Sequence, residues 1–308
     1  MPRSSPSSGG AAPPPDYAAA RKRLAHRPRR GVIAVEGTDR ATFLQGQLTQ
    51  DVRGLGPGAS RPAAGLTSKG KLLYFGRLVG EPERILLLLP EDAVAGTLAH
   101  LAKYAAFQNA SVRDATADYV RIALYGPNAA DVSAAEGVRL PPEGELAVEI
   151  LAPAPAGPEF DRRLADAGSV LVTLETAQIL RIESGRPRLG RDANETHLPD
   201  EVGLQPAVST TKGCYVGQEV VARLRTYGRV NRRLVGFRFP EETVPEGSVF
   251  ANPEKPGHEL ARVTSVAVSP RFGPIGLGLA FREVPEGGTL RSLDAPGRAA
   301  IVSALPFA

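Results

Sequence analysis

The sequence predicts an α+β fold with a separate antiparallel β-barrel at its C-terminal end. Three observations carry that reading. Helical and strand patterns are interleaved over the first 185 residues. From about residue 231 the pattern changes to short segments punctuated by glycine and proline, with no helical periodicity to compete. The 308 residues, 42% hydrophobic and 23% charged, suit one large domain or two of moderate size. A boundary is therefore expected near 230, dividing a body at 31–230 from a barrel at 231–308.

The elements follow in order. Residues 1–30, rich in Pro, Gly, Ser and Ala, bury too little apolar surface to order themselves and predict a disordered basic tail. The segment 31–36 reads as a strand, after which Gly37 turns the chain and Thr38 can cap a helix through Phe43 and Leu44. The run 65–74 reads as a hairpin turning at Ser68-Lys69-Gly70. Ile85 to Leu89 is too short for a bilayer and predicts a buried strand. Val94, Leu98, Leu101 and Ala105 repeat at helical spacing. Alternation returns at 119–125 and 146–151, and helices fit 158–167 and 174–183. Beyond the boundary, 233–239, 260–268, 275–281 and 299–305 read as barrel strands.

Composition narrows the function. The formal charge of +4 is local: seven basic residues in 1–30 stand against Asp16, while the rest carries 30 basic and 32 acidic residues. A nearly neutral body is no nucleic-acid footprint, so no nucleic-acid partner is expected. One cysteine excludes internal disulfides, fits a reducing compartment and cannot supply a Cys₃ or Cys₄ site. His26, His100, His197 and His258 lack ligand spacing, so no metal held by this chain alone is expected. No run is long enough to predict a membrane span. The arginines of the tail and its scarcity of acids are features of transit peptides. Its proline cluster spoils an amphipathic helix, and a cytoplasmic protein is expected.

The most informative stretch is Lys212-Gly213-Cys214-Tyr215-Val216-Gly217-Gln218-Glu219. It sets the only cysteine between two glycines, which permit backbone conformations that other residues resist. Lys212 stands two positions away, where its charge would favour thiolate. A lone cysteine is ordinarily a small buried hydrophobe, so exposure decides between a packing and a chemical role.

KGCYVGQE resembles the signature of the YgfZ-type folate-binding proteins, relatives of the glycine-cleavage aminomethyltransferases, or T-proteins. Weaker blocks precede it in the family's order. They are Gly37-x-Asp39-x-x-x-Phe43-Leu44-Gln45-Gly46-Gln47-Leu48-Thr49-x-Asp51-Val52, then Leu66-Thr67-Ser68-Lys69-Gly70-Lys71, then Leu180 to Pro187. Leu198-Pro199 comes before the signature and Val220-Val221-Ala222-Arg223 extends it. The resemblance implies a folate-binding body of two subdomains around a central cavity, plus the C-terminal barrel. It implies tetrahydrofolate or a related folate as cofactor. Glu149 is then the pterin anchor, since a carboxylate can accept two N–H bonds from the amino-pyrimidine edge. Arg181, Glu183, Tyr215, Gln218, Glu219 and Arg223 become further folate contacts, and Arg223 and Arg225 could meet a glutamyl tail. Each has a plainer alternative. Glu149 would be an outward strand glutamate, Arg181 and Glu183 a structural pair within a helix, and the two arginines ordinary solvated side chains. Cys214 is the candidate redox or transfer thiol, with Lys212 beside it.

Two departures matter. The transferases carry an acidic pair shortly after the hairpin, and here Tyr74 and Phe75 occupy those positions. Neither ring can act as an ionised carboxylate at neutral pH. The chain also has no tryptophan to stack on a pterin, and Ala177 stands where a folate contact would be expected. The resemblance therefore implies an accessory factor for assembly or repair of iron–sulfur clusters in client enzymes, which with folate would be its partners. The alternatives are a tetrahydrofolate-dependent aminomethyltransferase-like enzyme and a folate-regulated binding module without chemistry. Cys214 is expected at least partly exposed, on a loop facing a cavity, near the start of a helix or strand. Glu149 and the 212–219 loop are expected to line one pocket.

Overall fold

The computed structural model describes residues 14–134, 136–142, 147–252, 257–295 and 297–308. The chain opens with α1 (Pro15–Lys22), β1 (Ala25–Arg29), β2 (Val32–Glu36) and α2 (Arg40–Gln47). The hairpin β3 (Ser60–Leu66) and β4 (Leu72–Gly80) leads to β5 (Arg84–Leu88), α3 (Glu91–Ala105) and β6 (Ser111–Asp114). Then come β7 (Tyr119–Tyr125), β8 (Val138–Leu140), β9 (Ala147–Pro153), α4 (Gly157–Asp166), β10 (Val170–Leu171) and α5 (Leu174–Glu183). Helix α6 (Gln218–Tyr227) precedes β11 (Arg232–Arg238), β12 (Val249–Ala251), β13 (Ala261–Ser269), β14 (Gly273–Phe281), β15 (Thr289–Ser292) and β16 (Ala299–Ser303).

These elements make two five-stranded sheets and a closed barrel. The first sheet runs β3-β4-β5-β2-β6 and the second β10-β1-β7-β9-β8. The barrel closes as β11-β14-β13-β12-β15-β16, with antiparallel neighbours throughout. Strand β2 shows why the body holds together. Ile33 and Val35 join Phe43, Leu87 and Leu101 in the core under α2 and α3. Val32 and Ala34 point the other way, into a cluster with Leu86, Leu88, Leu140 and Leu151 that unites the two sheets. A strand buried on both faces reads as a continuous apolar run, which accounts for Ile85 to Leu89 as well. Among the described residues no helix is long and apolar enough to cross a membrane.

The expected disordered tail needs correction. Residues 1–13 lie outside the described residues, but Pro15–Lys22 is helical and Ala25–Arg29 is an inner strand between β10 and β7. Tyr17, Ala20, Leu24 and Ala25 are buried, and these anchors supply the core contacts that average composition conceals. Pro28 is tolerated because β10 pairs only with Ala25 and His26, leaving that edge of β1 open at the proline. Leu146, expected to open β9, lies outside the described residues.

Candidate functional site

The signature loop is fastened by backbone groups of two distant segments. The Lys212 ammonium donates to three carbonyl oxygens at the end of α2: Gln45 at 2.7 Å, Leu48 at 2.6 Å and Gln50 at 3.0 Å. A helix leaves its last carbonyls without intrahelical partners, and a lysine can satisfy them. Val216 N–H donates to Gly46 O at 3.1 Å, and Ser209 N–H to Thr49 O at 3.0 Å. On its other side the loop meets the β3–β4 hairpin. Gly217 has φ +81°, and a Cβ there would lie 2.4 Å from Thr67 O. Three blocks far apart in sequence thus form one frame. Burial lowers the Lys212 pKa to about 8, with Asp51 opposing and Arg53 adding to the shift.

Inside that frame Cys214 is exposed, four residues before α6 begins. The expectation of an exposed thiol near a helix start matches this placement. The role expected for Lys212 does not. Its ammonium is committed to carbonyls at and just beyond the end of α2, and these bonds hold the loop in place. Tyr215 is half-buried beneath the Lys212 ammonium, 5.1 Å from ring centre to nitrogen, and packs into the cluster of Leu66, Leu72 and Val221. Gln218 accepts the Tyr215 N–H at 3.2 Å, closing the turn into α6. Glu219 and Arg223 pair with each other at 3.1 Å on the outer face of α6, 85% and 75% exposed. Arg225 grips Asp200 at 2.9 Å.

Glu149 sits in a second, buried network. Strand register sets Arg29 of β1 directly opposite Arg121 of β7, with Glu149 of β9 diagonal to Arg121. Two like charges face to face are unfavourable, and the carboxylate relieves them. Arg121 Nε donates to Glu149 Oε1 at 2.7 Å, and Arg29 Nη1 to Oε2 at 2.9 Å. Burial works against the charge of Glu149, but the two guanidinium groups prevail and lower its pKa to about 2. Arg121 also donates to Gly31 O at 2.5 Å and Leu89 O at 2.7 Å. The plainer expectation, an outward strand glutamate, is therefore corrected: Glu149 is 6% exposed. Neither Arg29 nor Arg121 was singled out from sequence. Arg121 did carry a signal, as the one charge in an otherwise uncharged strand.

Arg181 and Glu183 belong to neither network. Glu183 accepts from Tyr17 Oη at 2.7 Å and Ser269 Oγ at 2.5 Å, and from Arg21. Arg181 bonds Asp192 at 2.6 Å and Ser265 at 2.8 Å. They do not pair with each other among the described residues, and these bonds make them ties between α5, α1 and the barrel. No hydrogen bond or ion pair joins Glu149 to the 212–219 loop among the described residues. Tyr74 fills its position as a core residue. It is 2% exposed, its hydroxyl has no partner among the described residues, and burial pushes its phenol pKa up. Phe75 packs beside Tyr215 against the same cluster. Among the described residues no group of three or more His, Cys, Asp or Glu side chains is placed to hold a metal.

No family model matches the chain. Over 247 residues it is 31% identical to the tRNA-modifying protein YgfZ of Edwardsiella ictaluri, covering 70% of this chain and 71% of that one. It is 29% identical over 307 residues to an aminomethyltransferase of Rubrobacter xylanophilus, covering 90% and 80%. The fold is that of the glycine cleavage aminomethyltransferase T of Bartonella henselae. The TM-score is 0.83 at 24% identity, over 95% of this chain and 88% of that one.

Proposed function

The chain belongs to the YgfZ family, and on that premise we propose that it is a folate-binding accessory factor for iron–sulfur enzymes. In this reading it supports assembly or repair of the cluster in a client, and Cys214 is the redox or transfer thiol. The observation that carries the reading is an exposed thiol on a loop pinned at both ends, by Lys212 before it and by Val216 and Gly217 after it. A pinned loop has little conformational freedom to lose when a partner docks. One thiolate cannot supply the full ligand set of a cluster, so the client must supply the other ligands. The relatives' name, tRNA-modifying protein, supports clients among the enzymes that modify tRNA.

Folate fits the chemistry of the Glu149 network. Its carboxylate is fully ionised at neutral pH, and Arg29, which holds Oε2, is 35% exposed and able to withdraw. The amino-pyrimidine edge of a pterin would take over that oxygen, while Arg121 keeps Oε1 and fixes the carboxylate plane. When bound, tetrahydrofolate would supply a reduced pterin.

Aminomethyl transfer is disfavoured, because the buried Tyr74 offers no carboxylate where the transferases have one. Purified protein should release no one-carbon unit from an aminomethyl donor to tetrahydrofolate. The discriminating experiment replaces Cys214 by Ala in cells and assays client cluster enzymes. Loss of client activity with folate affinity intact supports the accessory role. Full client activity favours a binding module without chemistry.

A further inference from the structure

A different part of the molecule concentrates positive charge. The segment 223–233, Arg-Leu-Arg-Thr-Tyr-Gly-Arg-Val-Asn-Arg-Arg, holds five arginines around one tyrosine. It closes α6 and enters the barrel, and its turn is stapled to the end of β14 by Arg282 N–H donating to Asn231 O at 2.8 Å. A cleft of about 720 Å³ opens beside that staple, walled by Leu224, Arg225, Arg229, Arg233, Arg282 and Glu286 among others. Two of its arginines are already engaged. Arg225 pairs with Asp200, and Arg233 donates to Val284 O at 3.0 Å. Arg229 and Arg282 are exposed, and neither side chain makes a hydrogen bond or ion pair among the described residues. Next to Gly228, Tyr227 is 88% exposed, more than any other large hydrophobic residue described.

We propose that this cleft binds single-stranded nucleic acid, with Arg229 and Arg282 on backbone phosphates and Tyr227 stacked on a base. Unpaired guanidinium groups suit phosphate, and an exposed aromatic residue next in sequence to Gly228 of the cleft wall offers a strand a stacking platform. A purely anionic peptide would use the arginines and leave Tyr227 idle. The charge balance of the whole chain hides the site, because acidic residues elsewhere cancel the arginines gathered here. The proposal goes beyond the folate reading and does not depend on it.

The test is fluorescence anisotropy of the full-length protein with labelled single strands of about twelve nucleotides, within the span of known single-strand sites. RNA and DNA of the same sequence form two arms. Replacing Arg229 and Arg282 together by Ala should flatten the salt dependence, lowering its logarithmic slope by roughly 1.4 for two phosphate contacts. Tyr227→Ala should weaken binding about tenfold, and Tyr227→Phe should retain it. All three positions are exposed, so folding is not at stake, and the basic N-terminal segment is common to every variant. Tighter binding of RNA than DNA would assign the strand through its 2′-hydroxyls, and equal binding would assign phosphate and base alone. Variants that bind as tightly as the parent would overturn the proposal. So would absence of binding at low salt, or displacement by a glutamate peptide as effectively as by an oligonucleotide of equal charge.

Discussion

Gly70 and Gly217 meet face to face: a Cβ on Gly217 would lie 3.1 Å from the Gly70 Cα. Both residues are left-handed, with φ of +72° and +81°, and the same Cβ would stand 2.4 Å from the Thr67 carbonyl oxygen. The hairpin turn and the signature loop therefore touch backbone to backbone. Gly217→Ala should destabilise the fold by roughly 1–3 kcal/mol, the cost of a strained backbone conformation. Amide hydrogen exchange should quicken together at 66–71 and 212–219. Quickening at only one segment would mean that the contact does not couple them.

Lys212 is a fastener. Lys212→Met keeps the chain length and packing but leaves the carbonyl groups of Gln45, Leu48 and Gln50 without their charged donor. The expected loss is roughly 1.5–3 kcal/mol in urea unfolding. A primary role beside the thiol predicts the reverse pattern, with stability intact and Cys214 reactivity reduced.

Glu149 gives the fold an acid dependence of known sign. Its carboxyl pKa falls from 4.5 to about 2 on folding. The unfolded chain therefore binds more protons between those values. The stabilisation is fully present above about pH 4.5 and is lost as pH falls through about 2. At roughly 1.4 kcal/mol per unit this amounts to about 3–4 kcal/mol. Glu149→Gln should be less stable at neutral pH and show a flatter acid limb in urea titrations from pH 5 to 2. Measured below its melting temperature, its folate affinity should fall by roughly 1.5–3 kcal/mol. Arg29→Ala should not weaken folate binding.

Tyr74→Phe removes a buried hydroxyl that has no partner among the described residues. The variant should be neutral or more stable by about 1 kcal/mol, since an unsatisfied buried donor carries a desolvation penalty. Tyr74→Asp should lower stability without creating transferase activity, because the position is sealed inside the first sheet's core.

Cys214→Ala should alter stability by less than about 0.5 kcal/mol, as befits an exposed loop position. A larger change in thermal unfolding would reveal a packing role for the thiol.

Local patterns were legible wherever one chain segment determined its own environment. The helix expected at 174–183 is α5, Leu174–Glu183, and the alternation of 119–125 is β7. The barrel was readable because glycine and proline spacing leaves no alternative to short strands. An element was expected to start after Cys214, but its type and the extent of helix α6 were not read. The helix is ten residues long, and among its described residues only Val221 is buried. The partners of the charged residues were also out of reach. Arg29 finds Glu149 across 120 positions, and Lys212 finds Gln45 across 167. Such pairings depend on sheet order and register, which no local window contains.

The carboxylate of Glu183 ties the opening helix to the barrel: Tyr17 and Arg21 donate from α1, and Ser269 from β13. Its own carbonyl accepts Phe307 N–H at 2.9 Å. Two residues earlier, Arg181 and Asp192 extend the same tie to Ser265. Heating cannot release the barrel without breaking this buried set of bonds, so the body and barrel should melt cooperatively. Scanning calorimetry should record one heat-absorption peak whose measured enthalpy equals the van't Hoff value, although the architecture has two visible parts.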